Sequence, residues 1–476
     1  MSLSHWLGAA LRIALIGIGL VGLGVSARPL ELVQAFDDVT AATESNAFER
    51  VADSYMVIHR HLPWDIDYLS LAAEADLKAG NYIRAEQHLL VVAERRELTP
   101  LEIAWLGSIY AGQGRQQEAV AAWESARALG ILDAGALLSV ADFYLARQDW
   151  QRARNVLEAA VIVIQDDDQL YYRLGLLQAL DDPEEAELSL ALAVSLNEDR
   201  AIPLARLRAV IGERNQVDLD EWFTILGETY LDMDELLLAR TALSRAVAYN
   251  PAYATPLAYL SYVYASLGEP ALGAAQQAYS LNPDSPVVNF IIGLTWKRLG
   301  QQREARHAFE RAYDLNPLDP AFAVEIASTW RADNQHEAAE AWMLEAVRLA
   351  PEDLRWQILL VQFYMDEAYK VEEEGLPLAL SLVERLPDNA TVRDALGLGY
   401  FHLGLYDLAL EEFDVAIELD PTLARAYLNR GSTLEFLGDL QGARIDYERA
   451  VELDPASPIG ERAERALAFL GTNGEN

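Results

Sequence analysis

Hydrophobic and polar positions along this chain alternate with the period of an amphipathic helix, in short segments separated by polar turns. The stretch from Ala390 to Pro421 shows the unit. Leu396, Gly397 and Tyr400 mark a first helix, and Gly404 closes it at a turn. Ala409, Phe413 and Ala416 form a stripe on a second helix, and Asp420-Pro421 ends the unit. The pattern returns 34 residues later as Tyr427, Gly431, Leu434, Gly438, Ala443, Tyr447, Ala450 and Asp454-Pro455. Gly or Ala at the closest points lets two helix backbones approach, since a larger side chain would force them apart. The aromatic one helical turn after Ala409 or Ala443 fills the space between neighbouring pairs. Proline cannot continue a helix, and pushes the residue before it out of the α conformation.

The unit is periodic. Pro251, Pro283, Pro317, Pro351, Pro387, Pro421 and Pro455 follow one another at steps of 32, 34, 34, 36, 34 and 34 residues. The same positions recur upstream as Gly293, Trp296, Gly300, Ala305, Phe309 and Ala312, and as Ala327, Trp330, Ala339, Met343 and Ala346. Leu226, Gly227, Tyr230, Ala239, Leu243 and Ala246 form another set. The N-terminal half is more degenerate but in phase, with Leu106, Gly107, Tyr110, Gly114, Ala119, Trp123 and Ala126, then Ala141, Tyr144, Ala153, Leu157 and Ala160. Leu174 with Gly175, and Ala73 with Gly80 and Ala85, add two more. This pattern resembles the tetratricopeptide repeat (TPR) family, with about ten units over residues 45 to 470. The resemblance implies an all-α, right-handed superhelical solenoid of helix-turn-helix repeats with essentially no β-sheet, burying one continuous core.

The departures from the period predict the organisation. The unit from Ala252 to Pro283 has a short second helix, at Pro270 to Leu281. Arg355 to Glu374 reads as one long first helix, followed by a clipped second helix at Leu378 to Leu386. Between Asn197 and Asp220 the register breaks, and Ala201 to Glu213 is a helix without a clear partner. The expected domains are a signal peptide or transmembrane anchor at 1–28, a degenerate N-terminal array at 29–216 and a C-terminal array at 217–457. A capping helix and tail occupy 458–476, because a terminal repeat needs a polar outer face.

Charge changes the picture of partners. The chain carries 74 acidic against 37 basic residues, a net charge of −37. That excludes nucleic-acid binding by phosphate neutralisation and disfavours an anionic membrane surface. There is no cysteine, so disulfides, thiolate metal sites and cysteine catalysis are excluded. Residues 13 to 27, IALIGIGLVGLGVSA, are uncharged and apolar between Arg12 and Arg28. As a signal peptide they supply the apolar core, with Val25-Ser26-Ala27 as small residues at a cleavage site. As an anchor, the span extends back to Trp6 with Arg12 near its end. Glu31, Asp37 and Asp38 follow Arg28, so both readings place the repeats outside the cytoplasm, in a periplasmic or cell-surface setting; the alternative is a hydrophobic first helix packed on the array.

Several motifs that invite a chemical reading have simpler explanations. Gly17, Gly19 and Gly22 spell GxGxxG, but Pro29 stops any helix soon after and no βαβ unit follows. His59 and His61 are two residues apart and point to different faces of a helix. Asp166, Asp167 and Asp168 lack the spacing of a calcium loop and precede a helix whose N-terminus favours acids. No serine sits in a nucleophile-elbow context. No catalytic residue, cofactor or metal is expected, and the chain is read as not an enzyme.

The resemblance also implies where a partner sits: on a groove lined from the first helix of each pair. In the unit starting at Pro286 the lining places hold Val287, Phe290, Ile291, Leu294, Lys297 and Arg298, and in the next Val324, Glu325, Ser328 and Arg331. Residues 286 to 349 hold nine acids and seven bases, whereas 350 to 476 hold 25 acids and ten bases. The first window is thus far less acidic than the second, and suits a partner segment with apolar and acidic side chains. Candidate partner-binding residues are Phe290, Leu294, Lys297, Arg298, Ser328 and Arg331. The alternative for Phe290 and Leu294 is packing between helices. The lysine and asparagine with which some TPR arrays clamp a terminal carboxylate are replaced here by Asp394 and Leu398, or by Phe290 and Leu294. The function expected is a non-catalytic scaffold for protein partners, exported or membrane-tethered. The alternatives are a fixed subunit of a membrane complex or an accessory module for an envelope enzyme.

Overall fold

A computed structural model describes residues 30 to 473, apart from 131–133 and 456. The apolar segment expected to act as signal peptide or anchor lies outside the described residues. Among the described residues the secondary structure is helical, with no strand, and antiparallel helix pairs succeed one another along the chain. The expected all-α solenoid of helix-turn-helix repeats is the observed architecture.

The packing inside a pair follows from one contact. A Cβ added at Gly397 would lie 2.7 Å from the ring of Phe413, and one at Gly293 would lie 2.4 Å from the ring of Phe309. Gly431 faces Tyr447 and Gly107 faces Trp123 in the same way. The second-helix aromatic therefore seats on the glycine of its own pair rather than only between neighbouring pairs. Ala409 and Ala443 are fully buried, as are Phe413 and Ala416.

The chain divides into two compact units, residues 1–242 and 243–476. The first unit contains five pairs, beginning with Leu30–Glu44 and Phe48–His61 and ending with Asp168–Gln178 and Pro183–Leu196. The lone helix follows at Ala201–Gly212, with Leu204, Leu207, Val210 and Ile211 buried. The chain does not part at this register break. The next helix, Leu219–Asp232, packs back on its predecessors. Tyr230 donates its hydroxyl to the Leu176 carbonyl at 2.5 Å, and Trp222 donates Nε1–H to the Val210 carbonyl at 3.2 Å. The division into compact units falls after Ala242, inside the helix Leu236–Tyr249.

The second unit continues with Ala254–Ser266 and the short helix Leu272–Leu281, then Pro286–Arg298 with Gln302–Leu315 and Pro320–Ala332 with His336–Leu349. The long helix expected at Arg355 to Glu374 is instead broken. Leu354–Asp366 ends, Ala368 and Lys370 take positive φ values of 48° and 46°, and a π turn at Val371–Gly375 runs into Leu376–Arg385. The reason is a tether to the preceding repeat. The buried Glu340 carboxylate accepts from Tyr364 Oη at 2.8 Å and Lys370 Nζ at 2.6 Å, with Tyr369 Oη at 3.4 Å. The wide turn also absorbs the two extra residues of the 36-residue step. Two regular pairs follow, Ala390–His402 with Tyr406–Leu419 and Ala424–Leu437 with Leu440–Leu453. The helix Pro458–Asn473 packs Ala463 and Leu470 against Leu428, Ala443 and Tyr447, as a cap does.

Candidate functional site

The candidate strip is built on two helix starts. Ser285 accepts from the Val288 amide at 3.2 Å, ahead of Pro286, and Asp319 accepts from the Ala321 amide at 3.0 Å, ahead of Pro320. These caps fix which residues of each helix face outward. Val287 is 44% exposed, whereas Ile291 is buried. Phe290 is half-buried, with its ring centroid 5.6 Å from that of Phe309 and 5.0 Å from that of Phe322. Leu294, also half-buried, packs against the same core. These two residues thus serve the helix packing and show only part of their surface.

The cations are placed differently from a set of spare charges. Lys297 Nζ lies 2.7 Å from Glu325 Oε2 in the next repeat. Ser328 donates to the Glu325 carbonyl oxygen at 2.8 Å, with the Glu325 carboxylate at 3.2 Å. Arg331 Nε lies 2.5 Å from Glu367, and its Nη2 lies 3.4 Å from Asp366. Arg298 is exposed at the helix end. Lys297, Glu325 and Ser328 form one polar cluster, and Arg331 belongs to the next one along.

The ladder continues with residues that the sequence pattern did not single out. Arg425 joins Asp366, at 3.2 Å, to the fully buried Asp394, at 2.6 Å. Asn429 donates to Asp394 at 2.8 Å. Asp394 occupies the place where a carboxylate clamp would hold lysine, and it is consumed inside the array. Burial pushes the Asp366 carboxyl above the ordinary carboxylate range against the pull of Arg425 and Arg331, with Asp394 and Glu367 adding to the rise. The first unit has a counterpart, in which Arg173 joins Asp142 to Glu235, the latter at 2.5 Å. Burial and the Glu235 charge push the neighbouring Tyr172 phenol up to about 12. Arg240, only 2% exposed, donates to the carbonyls of Leu145 at 3.2 Å and Ala146 at 2.9 Å. No sequence spacing singles out these contacts, which join residues 31 to 95 positions apart.

The remaining polar motifs are structural where they are described. Asp167 caps its helix by accepting from the Leu170 amide at 3.0 Å, and Asp168 pairs with Arg200 at 2.5 Å. His59 Nδ1 lies 3.2 Å from the Asp65 carbonyl, and His61 lies 3.5 Å from Glu31. Among the described residues no group of three or more His, Cys, Asp or Glu is placed to hold a metal ion.

Sequence models of the tetratricopeptide repeat match residues 297–353 and 424–457. The chain carries TPR repeats. Residues across 68 positions are 40% identical to RNA polymerase II-associated protein 3 of Xenopus tropicalis, which is 14% of this chain and 10% of that protein. The match thus spans about a tenth of that relative's length. Among solved structures, a tetratricopeptide repeat protein from Parabacteroides merdae aligns over 53% of this chain and 98% of its own, at 15% identity and a TM-score of 0.44. Yeast Tom70 aligns over 79% of this chain and 88% of its own, at 16% identity and a TM-score of 0.42. Between residues 286 and 331 the first-helix surface is already laced with ion pairs between repeats. Its open places are the apolar edge at Val287, the half-exposed Phe290 and Leu294, and Arg298.

Proposed function

We propose that this chain is a non-catalytic TPR scaffold that holds a protein partner along the first helices between residues 286 and 331. We further propose that residues 13 to 27 carry the array to the non-cytoplasmic side of a membrane, exported or tethered. The observation that supports the binding site is its composition: an apolar strip in a stretch much less acidic than residues 350 to 476, with exposed Arg298 beside it. The apolar run between Arg12 and Arg28, followed by acids, supports the location. Because Lys297 and Arg331 are engaged by Glu325, Asp366 and Glu367, a partner gains mainly from the apolar strip and from Arg298.

The test is a pair of variants, assayed by crosslinking and mass spectrometry of the intact chain with its bound protein. Val287→Asp with Arg298→Glu alters only exposed positions, so stability should change by less than about 0.5 kcal/mol while the complex is lost. Lys297→Glu with Arg331→Glu sets like charges against Glu325 and Glu367, and should weaken both binding and stability, the latter by about 1 kcal/mol. A complex that survives Val287→Asp with Arg298→Glu places the partner elsewhere.

A further inference from the structure

A second surface stands apart from the groove, at the turns inside the last two repeats. At two preceding turns these places are mostly polar, with Arg298, Gln301 and Gln302 beside Leu299 at one, and Asp333, Asn334 and Gln335 at the other. The corresponding places in the last two repeats hold Leu405 and Tyr406, then Phe436 and Leu440. The rings of Phe401, Tyr406 and Phe436 form one cluster that bridges the two turns. Centroid distances are 5.7 Å for Phe401–Tyr406, 4.6 Å for Tyr406–Phe436 and 6.3 Å for Phe401–Phe436. Phe436 is 64% exposed, and Leu405, Leu437 and Leu440 are each 45–48% exposed. An apolar cluster of this kind left in water marks a contact surface rather than a core. The Gly397–Phe413 and Gly431–Tyr447 contacts pack each pair internally, whereas the rings join one pair to the next and still leave Phe436 largely in water.

Charge selects the occupant. Exposed Asp407, Glu411 and Asp439 accompany the cluster, and residues 350 to 476 carry 25 acids against ten bases. A second copy laid face to face would set two such surfaces against each other, and an anionic lipid surface would meet the same repulsion. We infer that the turn edge formed by Phe401, Tyr406 and Phe436, with Leu405, Leu437 and Leu440, docks a cationic amphipathic segment of a protein partner. Its apolar side chains seat on the ring cluster, and its lysines or arginines meet Asp407 and Asp439. Neither the binding strip at 286–331 nor its failure bears on this surface.

The probe is a labelled synthetic helical peptide with leucine on one face and lysine on the other, titrated against the full chain by fluorescence anisotropy. Phe436→Ser with Leu437→Ser should weaken binding about tenfold or more, as loss of a central aromatic anchor does. Leu344→Ser, an equally exposed leucine in another repeat, should leave it within about twofold. Leu405→Gln with Leu440→Gln provides a second pair should the first lower the melting temperature. Asp407→Asn with Asp439→Asn, which keeps an acceptor at the helix cap, should flatten the salt dependence. Equal weakening by Leu344→Ser, or none by either patch pair, would reduce the binding to unspecific attraction to an acidic chain and overturn the assignment. So would a wild-type dimer in sedimentation that the patch variants dissociate, or vesicle binding that they abolish.

Discussion

At the residue scale, the periodic feature that organises the array is a left-handed turn residue. Asn46, Gly80, Gly114 and Gln148 all have positive φ and stand 34 residues apart. Asp234, Gly268, Gly300, Asn334, Ala368, Gly404 and Gly438 continue the series in the later repeats. Each ends a first helix and turns the chain into the second. Glycine adopts this conformation without a steric cost, and asparagine or aspartate adopts it at a small one. Ala368, with φ of 48°, has neither advantage. Ala368→Gly should therefore stabilise the protein by about 1 kcal/mol, read as a higher denaturant midpoint at unchanged slope. A lower midpoint would mean that the tether at Glu340, not the turn residue, governs this segment. The glycines of the series are plain in the sequence as turn signals. Gln148 and Ala368 are not, since their residue types belong to helices; only the packing of the flanking pair forces them into the left-handed region.

At the element scale, successive repeats are joined by buried polar links as well as by apolar stripes. Glu102, 3% exposed, begins the helix Pro100–Gly112 in a capping box with Thr99. Its carboxylate also accepts from Arg96 at 2.7 Å and from the Ser70 hydroxyl of the preceding first helix. Burial raises its pKa, but the hydrogen bonds from Arg96, Ser70 and Thr99 prevail and hold it down to about 2, against an ordinary 4.5. A carboxyl depressed in the folded state stabilises fully above its unfolded value and loses that contribution as pH falls through its folded value. The link is thus complete above pH 4.5 and vanishes towards pH 2, on the order of 3 kcal/mol. Glu102→Gln should be less stable than wild type at pH 7, with the difference closing between pH 4.5 and pH 2, followed by urea unfolding across that range. A pH-independent difference would assign the loss to packing. The S/T-x-x-E signature of the cap is legible in the sequence. The contribution of Ser70, from 32 residues upstream, is not, because it depends on how one helix pair sits on the next.

At the scale of the whole molecule, the chain pairs a net charge of −37 with one apolar run ahead of the repeats. No helix among the described residues is long and apolar enough to cross a membrane, and the apolar run at 13 to 27 lies outside them. If that run directs export, protease added to intact spheroplasts should digest the repeats. Protection until lysis would place the array in the cytoplasm. The sequence by itself determined the helical repeats, their 34-residue period and the small-residue and aromatic register, because each depends on steric facts local to one or two helices. Only the tertiary structure decided the break at Ala368 and Lys370, the pairing of Lys297 and Arg331 with acids one repeat on, and the return of Tyr230 and Arg240 onto earlier helices. Those depend on which side chains meet across repeats, which the packing of one helix pair on another decides.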